Sequence, residues 1–537
     1  MPLSELPSSN DCPISIVWLK RDFRIEDHYP LAVALQSQAV LPVWIIEPQW
    51  WKSPDMDRTH FGFAKTSALE LREKLRALGG DLIIQIADAV EAFEVLSKRL
   101  TIREILSHEE TGGMWTYQRD KKVLAWCKSK NIPWREFRQD GVVRRLATRD
   151  QWALRWQQWA EAKQASVIQK VSLPVSLQPA ESRQRITASD QELNDFEKSL
   201  PDVAVTNSGG GLRLQTAGED RAGELLDSFL DHRGIDYRTS MSSPISAESS
   251  CSRLSPYLAW GCINVRQVYQ RLGQVRRGPP WSGSLSSFRS RLSWHCHFMQ
   301  KLEDETDLEF RNLCRAYDGL REEEFSEERF DAWCRGQTGF PMIDACMRYL
   351  HKTRWINFRM RAMLVSFASY DLWLHWRRPA EFLARNFLDF EPGIHYPQVQ
   401  MQSGVTGINT IRIYSPEKQG KDQDPQGMFV REHLPELGRV PLHLLWTPWK
   451  MSLDEQVRYG CRLGKDYPCA IVDHQVAVRQ AKEKLYAVRG SQEAQQLALQ
   501  VAKKHASRKR RDPIPTRRRV GKNNPDQPLL PGFEETE

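Results

Sequence analysis

No CxxC pair occurs in the 537-residue sequence. Its ten cysteines, at 12, 127, 251, 262, 296, 314, 334, 346, 461 and 469, stand singly. That spacing suggests neither a zinc ribbon nor a disulfide framework, and most of these residues read as reduced, buried thiols. No metal site is expected. The chain also lacks any run approaching the roughly 18 consecutive apolar residues of a membrane helix, which excludes a membrane protein. MPLSELPSSNDCPISIVWLKRD contains no basic segment followed by an apolar core and a small-residue cleavage site. No secretory signal is therefore read, and the expected location is the cytoplasm. Neither sign of charge dominates, since 76 Lys and Arg against 68 Asp and Glu leave only +8. A surplus that small says nothing about partners until it is localised. After the first strand, Lys20-Arg21-Asp22-Phe23-Arg24 takes the place of a glycine-rich phosphate fingerprint, which disfavours a nicotinamide dehydrogenase.

The chain does have length for more than one core, 40% hydrophobic residues and 19 tryptophans. From residue 14 to about 140, β-branched runs (ISIVWL, LPVWIIE, LIIQIA, REILSHEE and PWREF) alternate with helical patterns such as FGFAKTSALELREKLRALGG. Apolar strands joined by amphipathic crossovers predict a parallel sheet buried on both faces, with Gly79-Gly80 ending one crossover helix. Residues 12–163 are thus read as a Rossmann-like α/β domain. Residues 164–217, with LPVSLQPAESRQRI and NSGGGLR, read as an inter-domain connection. From 218 to 490 the apolar pattern has helical period, as in AGELLDSFLDHR and FRMRAMLVSFASYDLWLHWR, and predicts an all-helical domain. Residues 491–537 begin with a polar helix-like stretch and continue into KKHASRKRRDPIPTRRRVGK, a basic tail too poor in apolar residues to form a core. Such a tail either grips phosphates by counterion release or is simply solvated.

Three strings in the helical region carry more than packing requires. CSRLSPYLAWGCI brings Ser252, Ser255 and free backbone N–H groups to a helix start, an arrangement suited to a phosphate-bearing cofactor. RGQTGFPMIDACMRYL sets a Gly-Phe-Pro turn before an amphipathic helix. NFLDFEPGIHYPQVQMQSG places Asp389, Glu391 and His395 in a Pro/Gly-rich segment read as a loop, and polar groups held in a loop on a rigid scaffold point to a site.

From about 14 to 445 the chain resembles the photolyase/cryptochrome family, through WLKRDFRIEDHYPL, SRLSPYLAWGCI, GQTGFPMIDACMRYL and IRIYSPEKQGKDQDPQGMFVREHLPEL in the family's order. The resemblance implies an α/β N-terminal domain, a helical C-terminal domain holding FAD, and light-driven electron transfer. Carried over residue by residue, Tyr237, Cys251, Ser252, Leu254 and Ser255 match positions that wrap the FAD phosphates and sugar. Arg361 and Asp389 match a salt-bridged pair beside the isoalloxazine, with Glu391 at a second carboxylate position. Trp294 matches the aromatic that packs on a flipped pyrimidine dimer, where an apolar wall and a basic rim are needed. Arg253, Arg354 and Arg412 are candidates for that rim.

The departures from the family pattern are specific. Arg291 stands where dimer-repair members have Glu and His295 where they have Arg. Phe358 replaces an Asn, or the His of the (6-4) branch, and Ala362 replaces that branch's second His. His395 occupies the place near flavin N5, where an imidazole with a reference pKa of about 6.5 could titrate or donate a proton. Of the three tryptophans that rereduce the flavin only Trp376 is present, with Val399 and Glu323 at the other two positions. Trp333, Trp355, Tyr370 and Trp373 are the alternative aromatics. HEETGGMWTYQRD resembles a segment lining the antenna folate of some members, though Thr116 stands where an acidic residue is expected, so a deazaflavin, another flavin or no antenna stays open. The resemblance implies a monomeric lyase that repairs UV-damaged DNA. The alternative is a blue-light receptor without repair activity.

Overall fold

A computed structural model describes residues 12–36, 39–203, 211–275 and 277–506. The five apolar runs form five strands: β1 (Ile14–Leu19), β2 (Val40–Ile46), β3 (Ile83–Ile86), β4 (Ile102–His108) and β5 (Trp134–Phe137). All neighbours pair in parallel, in the order β3-β2-β1-β4-β5. Every residue of β1 and β2 is buried, the pattern of a sheet covered by crossover helices on both faces. Strand order reverses between β1 and β4, and such a sheet opens its ligand crevice at the C-terminal ends of those two strands. There Asp22, just past β1, lies between two histidines. His28 Nε2 is 3.0 Å and His108 Nδ1 2.7 Å from the same carboxylate oxygen. These two hydrogen bonds, and the two rings' charge, outweigh the burial that would raise the Asp22 carboxyl and hold it well below the usual range. This is the one three-residue grouping of metal-ligand type among the described residues, and hydrogen bonding accounts for it.

The connecting segment is less open than its composition predicts. It contains helices Ala180–Gln184 and Asp190–Lys198, and its backbone bonds to the α/β domain through Val171 N to Leu78 O (2.8 Å) and Ala188 N to Ile84 O (2.6 Å). These bonds satisfy polar backbone that a sheet margin would otherwise leave open. Beyond residue 218 the described structure is helical apart from turns and one isolated bridge, and shares a continuous hydrophobic core with one face of the sheet. The helix-like start of the C-terminal segment is a helix, packed against the preceding domain. Gln492–His505 is a helix whose last residue is buried, its His505 Nε2 lying 2.8 Å from Glu305. The remainder of the basic tail lies outside the described residues. Among the described residues no helix is long and apolar enough to cross a membrane.

The two domains meet at Gly261, which has φ +66°, and a Cβ there would fall 2.1 Å from the Arg21 carbonyl oxygen. Only glycine permits that backbone approach. Trp260 beside it stacks on Trp51 of the α/β domain, with centroids 5.6 Å apart and planes 9° apart.

Candidate functional site

The site is assembled from four segments of the helical domain. Asp389 follows a turn whose Leu388 carbonyl accepts from Trp260 Nε1 (3.0 Å) and whose Phe390 carbonyl accepts from Arg21 Nη2 (2.7 Å). Trp260 of the helical domain thus fixes one side of this residue and Arg21 of the α/β domain the other. Arg361, on helix Phe358–Ser366, meets Asp389 as a two-pronged fork, Nη1 to Oδ1 at 3.0 Å and Nη2 to Oδ2 at 2.8 Å. Its Nε donates to the Ile356 carbonyl and its guanidinium lies 4.1 Å from the Phe387 ring centroid. Burial would raise the Asp389 carboxyl, but the Arg361 charge and hydrogen bonds, with another from Ser255, hold it below its ordinary value. An ionised carboxylate and a guanidinium are therefore fixed side by side.

Ser255 belongs to the phosphate-type loop. Cys251, Ser252 and Ser255 are half-buried and Leu254 is fully buried. The following helix is only Ser255–Ala259, five residues, so local N–H and hydroxyl groups rather than a macrodipole are what this loop offers an anion. Tyr237 is buried against Phe229 and Phe288, and burial pushes its phenol up to about 12.

Helix Trp281–Asp304 supplies the third wall. Arg291, Trp294 and His295 are half-buried on it, and Arg291 hydrogen-bonds to the Tyr237 phenol. Trp294 rests on His297 and Phe298, at centroid distances of 5.0 and 5.8 Å. His295 Nε2 lies 2.9 Å from Glu391 Oε2. Burial would lower its pKa, yet the Glu391 carboxylate outweighs it and holds the imidazole well above its ordinary value. His295 is thus a cation, as the family's Arg at this position is. Phe358 is 39% exposed, the most open of the site residues.

His395 lies in the fourth segment, and the segment read as a loop is in fact helix Pro392–Gln402. That helix presses so closely on its neighbour that a Cβ on Gly393 would lie 2.6 Å from Met299 Sδ. His395 Nε2–H donates to the Ala380 carbonyl (2.9 Å), and burial lowers its pKa to about 4. With one nitrogen committed as donor, the ring is a neutral acceptor through Nδ1. The proton donation considered from sequence is disfavoured for that reason.

One rim candidate fails. Arg354 is buried, with its guanidinium on Asn386 and the Val203 carbonyl, and stabilises the fold. Arg253 is half-buried and lies 3.7 Å over Trp355. Arg412 is half-buried. Trp376 is fully buried and donates to Asn312 Oδ1 at 2.7 Å. Trp333 packs with Phe330 and Phe382, Trp355 under Arg253, and Tyr370 and Trp373 under Arg321. None of these four is among the rings touching Trp376, which are His375 and Tyr396.

These elements suit a large planar cofactor carrying a phosphate. The fork is an acceptor and a cation at one edge, and a buried Asn357 Oδ1 has no partner although its Nδ2 serves two carbonyls. Comparison with known proteins then decides the matter. Residues 15–171 match the family model described as DNA photolyase, and residues 288–487 that described as FAD binding domain of DNA photolyase. The chain belongs to the photolyase/cryptochrome family. It is 28% identical to a deoxyribodipyrimidine photo-lyase of Alkalihalophilus pseudofirmus, over 90% of this chain and 99% of that one. It is also 28% identical to a cryptochrome DASH of Gloeobacter violaceus, over 85% and 93%. A class III photolyase structure from Agrobacterium tumefaciens superposes with a TM-score of 0.75 at 25% identity, covering 91% of this chain and all of that one. FAD is therefore the cofactor for which the helical domain of this family member is built.

A narrow cleft between the domains adjoins this site, with His108, Glu109 and Asp140 of the α/β domain facing Asn264, His295 and Glu391. Burial lifts the Glu109 carboxyl to about 7. Sequence reasoning did not find this cleft, because its walls come from segments more than a hundred residues apart. Thr116, which stands where an antenna-binding acid is expected, is buried with its hydroxyl on the Gly113 carbonyl.

Proposed function

We propose that this protein is a light-driven DNA lyase that splits UV-induced pyrimidine dimers as a monomer. The observation that carries this reading is the placement of Trp294. It is a half-open indole one helical turn from Arg291 and adjacent to cationic His295, whose Glu391 partner is two residues from Asp389. An aromatic face flanked by positive charge beside a flavin site is what a flipped lesion and its phosphates require.

FAD, when bound, would supply light-driven, reversible one-electron transfer to the lesion. Arg361 and Asp389 would orient the isoalloxazine edge, the carboxylate accepting from a ring N–H while the guanidinium balances negative charge in a low-dielectric setting. Ser252, Ser255 and the Cys251 thiol, a weaker donor, would hold the phosphates and sugar with Tyr237 and Leu254 behind them. His395 would offer an acceptor and no proton. Trp294 would stack the lesion and exclude water. Arg291, tethered to Tyr237, would face the lesion as a permanent cation where a carboxylic acid is usual. It can donate a hydrogen bond but not a proton. Phe358 adds apolar wall.

The second reading, a blue-light receptor, is favoured by one observation, the cation at Arg291 in place of an acid. Illumination of chemically reduced holoprotein with oligonucleotides bearing cyclobutane or (6-4) lesions separates the two. Light-dependent restoration of either is the expected result, and none with flavin bound and reduced leaves the receptor.

A further inference from the structure

Tyr396 is 2% exposed, and its phenol is hydrogen-bonded to the carboxylate of Asp55, a half-buried residue of the α/β domain. Its ring lies 5.3 Å from that of His395, the residue at the flavin N5 position, and 6.3 Å from that of Trp376. Trp376 itself donates to an amide oxygen, Asn312 Oδ1, which cannot take up a proton. Trp376 thus has a redox-capable neighbour but no base, whereas Tyr396 has a carboxylate in place. The two tryptophans missing from the usual series leave this tyrosine as the aromatic with both a route and a base.

We infer that Tyr396 and Asp55 form a proton-coupled electron donor, in which Tyr396 rereduces the photoexcited oxidised flavin and hands its phenolic proton to Asp55. This rests on the FAD-binding reading above. In the step the phenolic O–H bond breaks, an O–H bond forms on the Asp55 carboxylate, and one electron passes to the flavin, directly or through Trp376. A neutral phenoxyl radical remains on Tyr396, and the reverse movement of proton and electron restores the pair.

The charged and titratable groups around Asp55 and Tyr396 are Glu381, Arg377 and Arg385 on the Arg377–Asn386 helix, and Glu309 in the segment after Asp304. Burial lifts the Asp55 carboxyl to about 6, with the Tyr396 hydrogen bond opposing it, so the base is available above that pH and already protonated below it. Glu309, lifted by burial to about 7, titrates nearby without touching the phenol in the described structure.

The test is electron paramagnetic resonance of the full-length holoprotein with oxidised FAD, illuminated at pH 8, with ring-deuterated tyrosine or ring-deuterated tryptophan incorporated. The expected signal is a neutral tyrosyl radical that narrows only with deuterated tyrosine, is absent in Tyr396→Phe, and falls at least tenfold in Asp55→Asn and in the parent protein at pH 5. The labelled parent protein requires no substitution, so it decides the matter even if a variant fails to fold. A radical that narrows only with deuterated tryptophan, or a tyrosyl signal unchanged in Tyr396→Phe, overturns the inference while the flavin reading stands. Purified chain without affinity for FAD overturns that reading and the inference together.

Discussion

Trp260 donates its indole N–H to the Leu388 carbonyl at 3.0 Å while lying flat on Trp51 of the other domain. Arg21 covers Trp260 at 4.6 Å and reaches on to the Phe390 carbonyl. The turn that carries Asp389 is therefore held on one side by Trp260, itself braced on the α/β domain, and on the other by Arg21 of that domain. Replacing Trp260 by Ala removes a fully buried ring and leaves a polar carbonyl without its donor, so a loss of about 3–5 kcal/mol is expected. Denaturant unfolding should show it, with weaker FAD retention in the surviving folded fraction. Unchanged FAD retention would mean that the turn holds its shape alone.

The Arg361 and Asp389 fork is buried enough that removing one partner strands the other. Arg361→Ala is expected to cost about 3–5 kcal/mol and to release FAD on gel filtration. Asp389→Asn keeps shape and one acceptor, and should cost less stability while still weakening FAD by at least tenfold.

Trp294 is half-exposed and supports little of the core, so Trp294→Ala should leave the melting temperature nearly unchanged. Affinity for a UV-damaged oligonucleotide should fall by about 1–3 kcal/mol, as expected for loss of one stacked base. Equal loss for undamaged duplex would assign Trp294 to general DNA contact instead.

The buried histidines should make acid destabilising well above the carboxylate range, opposed by Asp55, Glu109 and Glu309, whose raised carboxyls take up protons first in the folded protein. Burial lowers His60, His395 and His433 to about 4 and His351 to about 3, while the unfolded chain protonates such residues near 6.5. Below pH 6.5 the unfolded state binds more protons than the folded one, so the stability these groups contribute is full above that pH and drains away as pH falls towards 4. The slope is about 1 kcal/mol per histidine per pH unit. Thermal melts between pH 8 and 5 on the parent protein and on His351→Gln would reveal it as a steeper acid loss in the parent, and equal slopes would show that this ring finds water in solution.

The five strands, the helical second half and the family's motifs were legible in the sequence. Strand period and β-branched composition are local properties, and the motifs are contiguous strings. What only the tertiary structure decided was each residue's state. His395 reads as a titratable group until its N–H is seen committed to Ala380, and Arg354 reads as a surface cation until it is found buried on Asn386. Asp55 and Tyr396 are separated by more than three hundred residues and belong to no motif, so their hydrogen bond could not be read from the chain. Protonation, pairing and exposure depend on what other segments place within a few ångströms, and those placements are set by packing between the domains.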